Sequence, residues 1–195
     1  MIDPSASSLP ALDIFDAPAA TVARRLIGAT LLCEGVGGAI VETEAYERDD
    51  PASHSYRGPT PGNADMFGPP GTVYVYRSYG IHWCFNIVCR PGSAVLVRAL
   101  EPYQGVELMA ARRNVTLARG LCSGPGKLCQ ALAITGAHSG LSVADAPFAL
   151  ALPAATEDIV TGPRIGITKA AETPWRFGRR NSPYLSRRFP RPDGG

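Results

Sequence analysis

The chain has little lysine, no paired cysteines and no long apolar run. Only Lys127 and Lys169 among its 195 residues are lysine, so chemistry that needs an amine nucleophile, such as Schiff-base formation, has few places to occur. Five cysteines, Cys33, Cys84, Cys89, Cys122 and Cys129, make an odd set without a Cys-x-x-Cys spacing. That speaks against a disulfide framework or zinc ribbon and for small reduced core residues. The sequence begins Met1-Ile2-Asp3-Pro4, with no basic stretch leading into an apolar one, and no apolar run approaches membrane-spanning length. The expectation is a soluble cytoplasmic protein with no membrane contact. Its 45% apolar content suffices for one ordinary core, and the chain is read as a single domain over 1–195, with flexible ends at 1–15 and 190–195.

The net charge of +2 hides an uneven distribution. Residues 1–60 carry nine acids against four arginines, whereas 169–195 carry Lys169, Arg176, Arg179, Arg180, Arg187, Arg188 and Arg191 against Glu172 and Asp193. The basic segment reads either as a solvated surface or as a phosphate-binding patch. The run Trp175-Arg176-Phe177-Gly178-Arg179-Arg180, which interleaves arginine with aromatics, favours the patch.

Asp16 is placed to cap a helix over 17–27, with Ala19, Val22, Ala23 and Leu26 at helical spacing and Gly28 just past its end. Strand patterns follow at 29–34 and 38–46. Residues 47–71 are rich in Asp, Pro, Gly and Ser and form a long loop carrying His54, Asn63 and Met66; such a loop in a small domain is more often functional than decorative. Further strands are expected through the tyrosine run after Thr72, through 84–88 and 94–99, and at 147–152 and 164–168, with a helix from Gln104 to about Ala118. Leu121-Cys122-Ser123-Gly124-Pro125-Gly126-Lys127 opens another helix that ends near Gly136. It is not a P-loop, because Gly120 lies one residue too far away and Leu128 stands where a magnesium-binding hydroxyl would be needed. Its free amides at Gly126, with Lys127 beside them, are still suited to one phosphate.

Three tyrosines fall within Thr72-Val73-Tyr74-Val75-Tyr76-Arg77-Ser78-Tyr79-Gly80, downstream of the acidic strand Ile40-Val41-Glu42-Thr43-Glu44-Ala45-Tyr46. Alternation puts Tyr74 and Tyr76 on one face of their strand, and Glu42, Glu44 and Tyr46 on one face of theirs. These are either amphipathic strands covering a core or a site that grips a flat ring beside a carboxylate. Tyr79 favours the second reading, because it follows the alternating run in a turn where core packing does not need it.

Those two segments, with Met66-Phe67, Asn86, Leu96-Val97-Arg98-Ala99-Leu100-Glu101-Pro102 and the 121–132 block, closely resemble the alkyladenine (3-methyladenine) DNA glycosylase family, in order over roughly 20–180. The resemblance implies a mixed α/β fold of the α+β type, one domain with a curved antiparallel sheet, surrounding helices and a protruding β-hairpin. It implies double-stranded DNA containing damaged purines as partner, a monomer, no metal and no organic cofactor. If the source is bacterial, the protein would be associated with the nucleoid.

By motif position, Glu44 resembles the residue that activates water and Arg98 the residue that positions water and phosphate beside it. Tyr46 and Tyr76 look like the walls of the base pocket, His54 like a hydrogen-bonding residue between them, and Asn86 like the residue that crowds a guanine's exocyclic amino group. Tyr79 is similar to the family's intercalating tyrosine, while Gly126 and Lys127 are left as backbone contacts. Glu42 is the rival carboxylate, either supporting Glu44 or exposed on its strand. Two other readings stay open: a sugar hydrolase using Glu42 and Glu44 on opposite sides of a bond, and a non-enzymatic module stacking bases on its tyrosines.

Overall fold

A computed structural model of the chain describes residues 12–190. The expected flexible ends therefore fall mostly outside the described residues, but Leu12–Phe15 form a 3₁₀ turn whose Phe15 is fully buried, so that part of the end is anchored.

The backbone is an antiparallel sheet of eight strands with helices packed mainly on one face. In chain order the elements are α1 (Ala19–Arg25), β1 (Thr30–Cys33), β2 (Val36–Tyr46), β3 (Val73–Ser78), β4 (His82–Val88), β5 (Ala94–Gln104), α2 (Val106–Arg113), α3 (Ala118–Leu121), α4 (Pro125–Leu132), β6 (Phe148–Ala151), β7 (Ile159–Gly162) and β8 (Arg176–Arg179). The main path runs β3-β4-β5-β2-β1-β6, while β8 pairs with the far half of β2 and β7 pairs with β8. This is the expected α+β class, with β3 and β4 as the protruding hairpin.

Strand alternation divides the molecule into two layers. Val73, Val75, Phe85, Ile87, Val95 and Val97 point into one core with Val22, Leu26, Leu128 and Leu132 of the helices. Each fully buried side chain of this size contributes about 1.5–3 kcal/mol. The alternate residues, Tyr74, Tyr76, Cys84, Asn86, Leu96 and Arg98, face the other side and line a pocket there. A small second cluster of Met66, Tyr74, Val88 and Ala94 ties the long loop onto that face.

Several local expectations are corrected. Helix α1 is shorter than 17–27 and Asp16 does not cap it: Pro18 holds the cap position, the Ala19 N–H donates to Glu47 Oε1 at 2.6 Å, and Asp16 instead meets exposed Arg90. The segment from Gln104 to Ala118 is not one helix. Gln104 still belongs to β5, α2 stops where Asn114 turns left-handed (φ 50°), and a separate short turn follows at α3. Residues 164–168 are a loop rather than a strand, the strand of that region being β7, and the arginine-rich run expected as a surface patch contains β8.

Candidate active site

The pocket on the sheet's open face encloses about 480 Å³, within the range of small-molecule sites. It brings together Tyr46, His54, Tyr76, Tyr79, Asn86 and Arg98 from β2, the long loop, β3 and its turn, β4 and β5. Ile165, Gly166 and Ile167 close one side and Pro125, at the start of α4, lies on another. Sequence reading did not single out the 165–167 loop, and only its place in the fold reveals it.

Glu44 lies fully buried against this pocket. Its Oε2 accepts from the Tyr46 hydroxyl at 2.8 Å, its Oε1 accepts from the Ile165 N–H at 2.7 Å, and the Arg98 guanidinium stands 3.3 Å from Oε1. Glu42 is also fully buried, and its surroundings are different. It accepts from Arg98 Nε (3.0 Å), Arg176 Nε (2.8 Å), the Ser186 hydroxyl (2.7 Å) and the Ser186 N–H (2.6 Å). Glu42 is thus neither an exposed strand residue nor free to act on a ligand; four donors occupy its two oxygens.

The irregular pairing of β2 with β5 accounts for this arrangement. Ile40 lies opposite Leu100 and Glu42 opposite Ala99, so Val41 has no partner; Thr43 then lies opposite Val97, so Arg98 has none. Bulges of this kind bend strands and re-aim side chains next to functional sites. Here they let Arg98 reach both carboxylates at once. Burial opposes the charge of Arg98, but the flanking Glu44 and Glu42 outweigh it and raise its pKa above the usual value. Because Glu42 is fully buried with four donors on its two oxygens, the two carboxylates cannot flank a scissile bond, which removes the two-carboxylate sugar hydrolase reading.

The aromatic walls are held neutral. Burial, and then the Glu44 carboxylate, push the Tyr46 phenol well above its ordinary pKa; burial and neighbouring Cys84 do the same for Tyr76. Tyr74 is pushed up to about 12, chiefly by burial. It stacks on Tyr76 with ring centroids 5.6 Å apart and contacts His54 Nδ1 through its hydroxyl at 3.1 Å. His54 stands at the junction of this pocket with an adjoining cleft, exposed at its outer edge, and the partial desolvation of its ring by the surrounding protein lowers its pKa. Asn63 fixes the backbone there by donating to the His54 carbonyl at 2.9 Å. Asn86 is buried and donates its amide to the Tyr74 and Cys84 carbonyls at 3.0 and 3.3 Å, which turns its Oδ1 toward the pocket.

Tyr79 projects from the tip of the β3–β4 hairpin, 86% exposed. It and Gly80 adopt positive φ, 51° and 68°; a bulky residue rarely takes this conformation, and strain of this kind gathers at functional sites. The hairpin is braced from behind. A side chain at Gly126 would come within 2.8 Å of His82, so glycine lets the start of α4 approach the hairpin; Lys127, two residues after the pocket-lining Pro125, is exposed.

The basic segment is only partly available as a phosphate patch. Arg176 is buried on Glu42, Arg179 pairs with Glu101 and Glu157, and Arg180 pairs with Asp158. Lys169, Arg187 and Arg188 remain exposed without an ion pair among the described residues, and Arg191 lies outside them. No group of three or more His, Cys, Asp or Glu side chains is gathered as a metal site would require, again among the described residues. All five cysteines are buried and unpaired. No helix is long and apolar enough to cross a membrane.

An aromatic pocket beside a buried carboxylate, with an exposed tyrosine at a strained hairpin tip, suits an enzyme that grips a flat ring and acts on it. Comparison with known proteins agrees. The model of the family described as "Methylpurine-DNA glycosylase (MPG)" matches residues 13–183. Relatives described as "Putative 3-methyladenine DNA glycosylase" include one from Nitrosospira multiformis, 58% identical over 95% of this chain and 97% of its own length. Another, from Rhodopseudomonas palustris strain HaA2, is 64% identical over 85% of this chain and 84% of its own length, and one from Agrobacterium fabrum is 56% identical over 90% and 91%. The chain belongs to the methylpurine-DNA glycosylase family, and is a DNA glycosylase, a hydrolase of N-glycosyl bonds.

Proposed function

We propose that this protein acts as a monomer in the bacterial cytoplasm, at the nucleoid, and removes N-alkylated purines from double-stranded DNA, leaving an intact abasic site. The observation that carries the reading is the buried Glu44, whose two oxygens are aligned by Tyr46 and Ile165 beneath a pocket with tyrosine walls.

The proposed sequence of events starts at the surface. Lys127 and the amide of Gly126 hold a backbone phosphate at the start of α4. Tyr79 enters the stack and fills the space left by the extruded nucleotide, offsetting part of an unstacking cost of a few kcal/mol. The damaged purine lodges between Tyr46 and Tyr76. Alkylation leaves the base positively charged, so the two rings add a cation–π contribution of about 0.5–2 kcal/mol that undamaged bases lack.

A cationic purine is already a good leaving group, so the chemical step needs only one base. Glu44 takes a proton from the attacking water and offsets positive charge developing on the sugar. Arg98, itself held by Glu42, stands against that carboxylate and orients it. Water adds to the anomeric carbon, the N-glycosidic bond breaks, and its electron pair leaves with the neutralised purine. In the tautomer proposed here the Tyr74 hydroxyl donates to Nδ1, and neutral His54 presents Nε2–H as a donor to the bound base. Asn86 crowds the exocyclic amino group of an undamaged guanine.

Incubation with methylated duplex DNA, followed by quantification of abasic sites, tests the proposal. Base release with strand breaks appearing only after alkali is the expected result. A shift in DNA mobility with no abasic sites would instead point to a binding module.

A further inference from the structure

Behind the pocket wall lies a charged residue that the proposed reaction leaves unused. The Arg164 side chain is fully buried and so is that of its partner Asp50. The guanidinium grips both Asp50 oxygens, donates to the Ala45 carbonyl at 3.0 Å and reaches the Ala170 carbonyl at 3.3 Å. Its carbon stands 4.7 Å from the ring centre of Tyr46 and 5.3 Å from that of Trp175. Tyr46 lines the pocket and Arg164 does not, so the guanidinium covers the ring from the side turned away from the ligand.

Three sides of the pocket meet at this residue. Tyr46 is the wall it backs. Asp50 stands at the head of the loop that carries His54, and also accepts from the Ala52 N–H at 2.9 Å. Ile165, the next residue in the chain, supplies the N–H that aligns Glu44. The Arg164 Nε is buried without a hydrogen-bond partner, as is that of Arg179, whose other nitrogens also hold carboxylates. A planar fork explains it: bidentate gripping of Asp50 and stacking on the ring use the other nitrogens and the flat face, a geometry lysine cannot reproduce.

We propose that Arg164 is a positioning residue, which locks the Tyr46 wall at a fixed spacing from Glu44 and so holds the extruded purine in line for hydrolysis. This rests on the glycosylase reading above. Asp50 neutralises the guanidinium, so the lock places no net positive charge behind a ring whose other face receives a cation. Misplacement of a reacting group by about 1 Å can cost on the order of 100-fold in rate.

Two variants test the inference, Arg164→Lys and the double variant Asp50→Asn/Arg164→Gln. The double variant removes both buried charges together and leaves an amide pair in their place. Each is compared with the parent for single-turnover excision of a methylated purine and for affinity toward duplex DNA carrying an abasic-site analogue, which leaves nothing stacked on Tyr46. Excision should fall about 10- to 100-fold in both, with abasic-site affinity within twofold of the parent. Undiminished excision in the double variant, or full activity in Arg164→Lys, would overturn the proposal. So would a parallel loss of affinity and melting temperature, which would mark a purely structural role. A parent protein that produces no abasic sites would sink the glycosylase reading and not this inference specifically.

Discussion

Replacing Glu44 and Glu42 by glutamine, one at a time, should separate chemistry from stability on a single strand. In Glu44→Gln the side-chain oxygen can keep the Ile165 N–H and the new amide can donate to the Tyr46 hydroxyl, which accepts as readily as it donates. Arg98 keeps Glu42 as its counter-charge. The structural cost should therefore stay near 1 kcal/mol, a loss of about 2–4 °C in melting temperature for a chain of this size. The amide cannot accept a proton from water, and that alone should slow excision by about 10²–10⁴, with lost electrostatic stabilisation adding to it. Binding of damaged DNA should survive, as expected when an interaction is made mainly in the transition state.

Glu42→Gln should behave in the opposite way. Its oxygens receive four donors in a fully buried setting, so the new amide must face either the Ser186 N–H or the two guanidinium groups. Breaking a buried ion pair by removing one partner costs about 3–5 kcal/mol, or roughly 6–20 °C in melting temperature. At a temperature where both variants are folded, Glu42→Gln should cleave faster than Glu44→Gln. The assay is single-turnover excision of a methylated purine from duplex DNA beside thermal melts of the free protein. Robust cleavage by Glu44→Gln, or a Glu42→Gln protein with an unchanged melt, would refute the division of roles drawn from the two hydrogen-bond sets.

Other predictions concern the surface and the pocket edge. Tyr79→Ala should leave the melting temperature unchanged, because the ring is largely exposed, yet slow excision more than it weakens initial binding; equal excision at equal salt would dismiss the wedge. The slope of log affinity against log salt should shrink by about one unit in Lys127→Gln and stay constant in Arg179→Gln, whose charge already faces Glu101 and Glu157. The lowered pKa of His54 means that the unfolded chain takes up its proton first as the pH falls below 6.5. Stability attached to the neutral ring is complete above that value and drains away as pH drops through the folded-state pKa. The parent should accordingly lose more melting temperature than His54→Gln between pH 7 and pH 5.

The sequence displayed whatever depends on short-range periodicity. Alternation along 40–46 and 72–77 put Glu42, Glu44 and Tyr46 on one face and Tyr74 and Tyr76 on another, and Tyr46, Tyr74 and Tyr76 line the pocket. The small residues around Gly126 likewise announced the start of α4. Long-range pairing was not visible in this way. Nothing local in Arg164 points to Asp50, 114 residues earlier, and Ile165-Gly166-Ile167 imitates strand alternation although Gly166 turns there with φ 78°. The arginines of β8 looked like a surface because residue type suggests exposure; Arg176 is buried only because Glu42 waits for it across the sheet. The fate of Glu42 was hidden for the same reason, since the chain that satisfies it arrives last.

That late arrival has a bearing on how the protein is made. The carboxylate proposed to do the chemistry leaves the ribosome in the first quarter of the chain, but Ile165, Arg176 and Ser186, which align it or neutralise its neighbour, emerge only near the end. Until then two acids share the single guanidinium of Arg98, and the strand carrying them has an unpaired edge where β8 will dock. A nascent chain that has not reached residue 164 would thus carry the tyrosines of the pocket without the groups that align Glu44 and satisfy Glu42. Excision competence should therefore appear only late in synthesis, once Ile165 and the segment through Ser186 are in place.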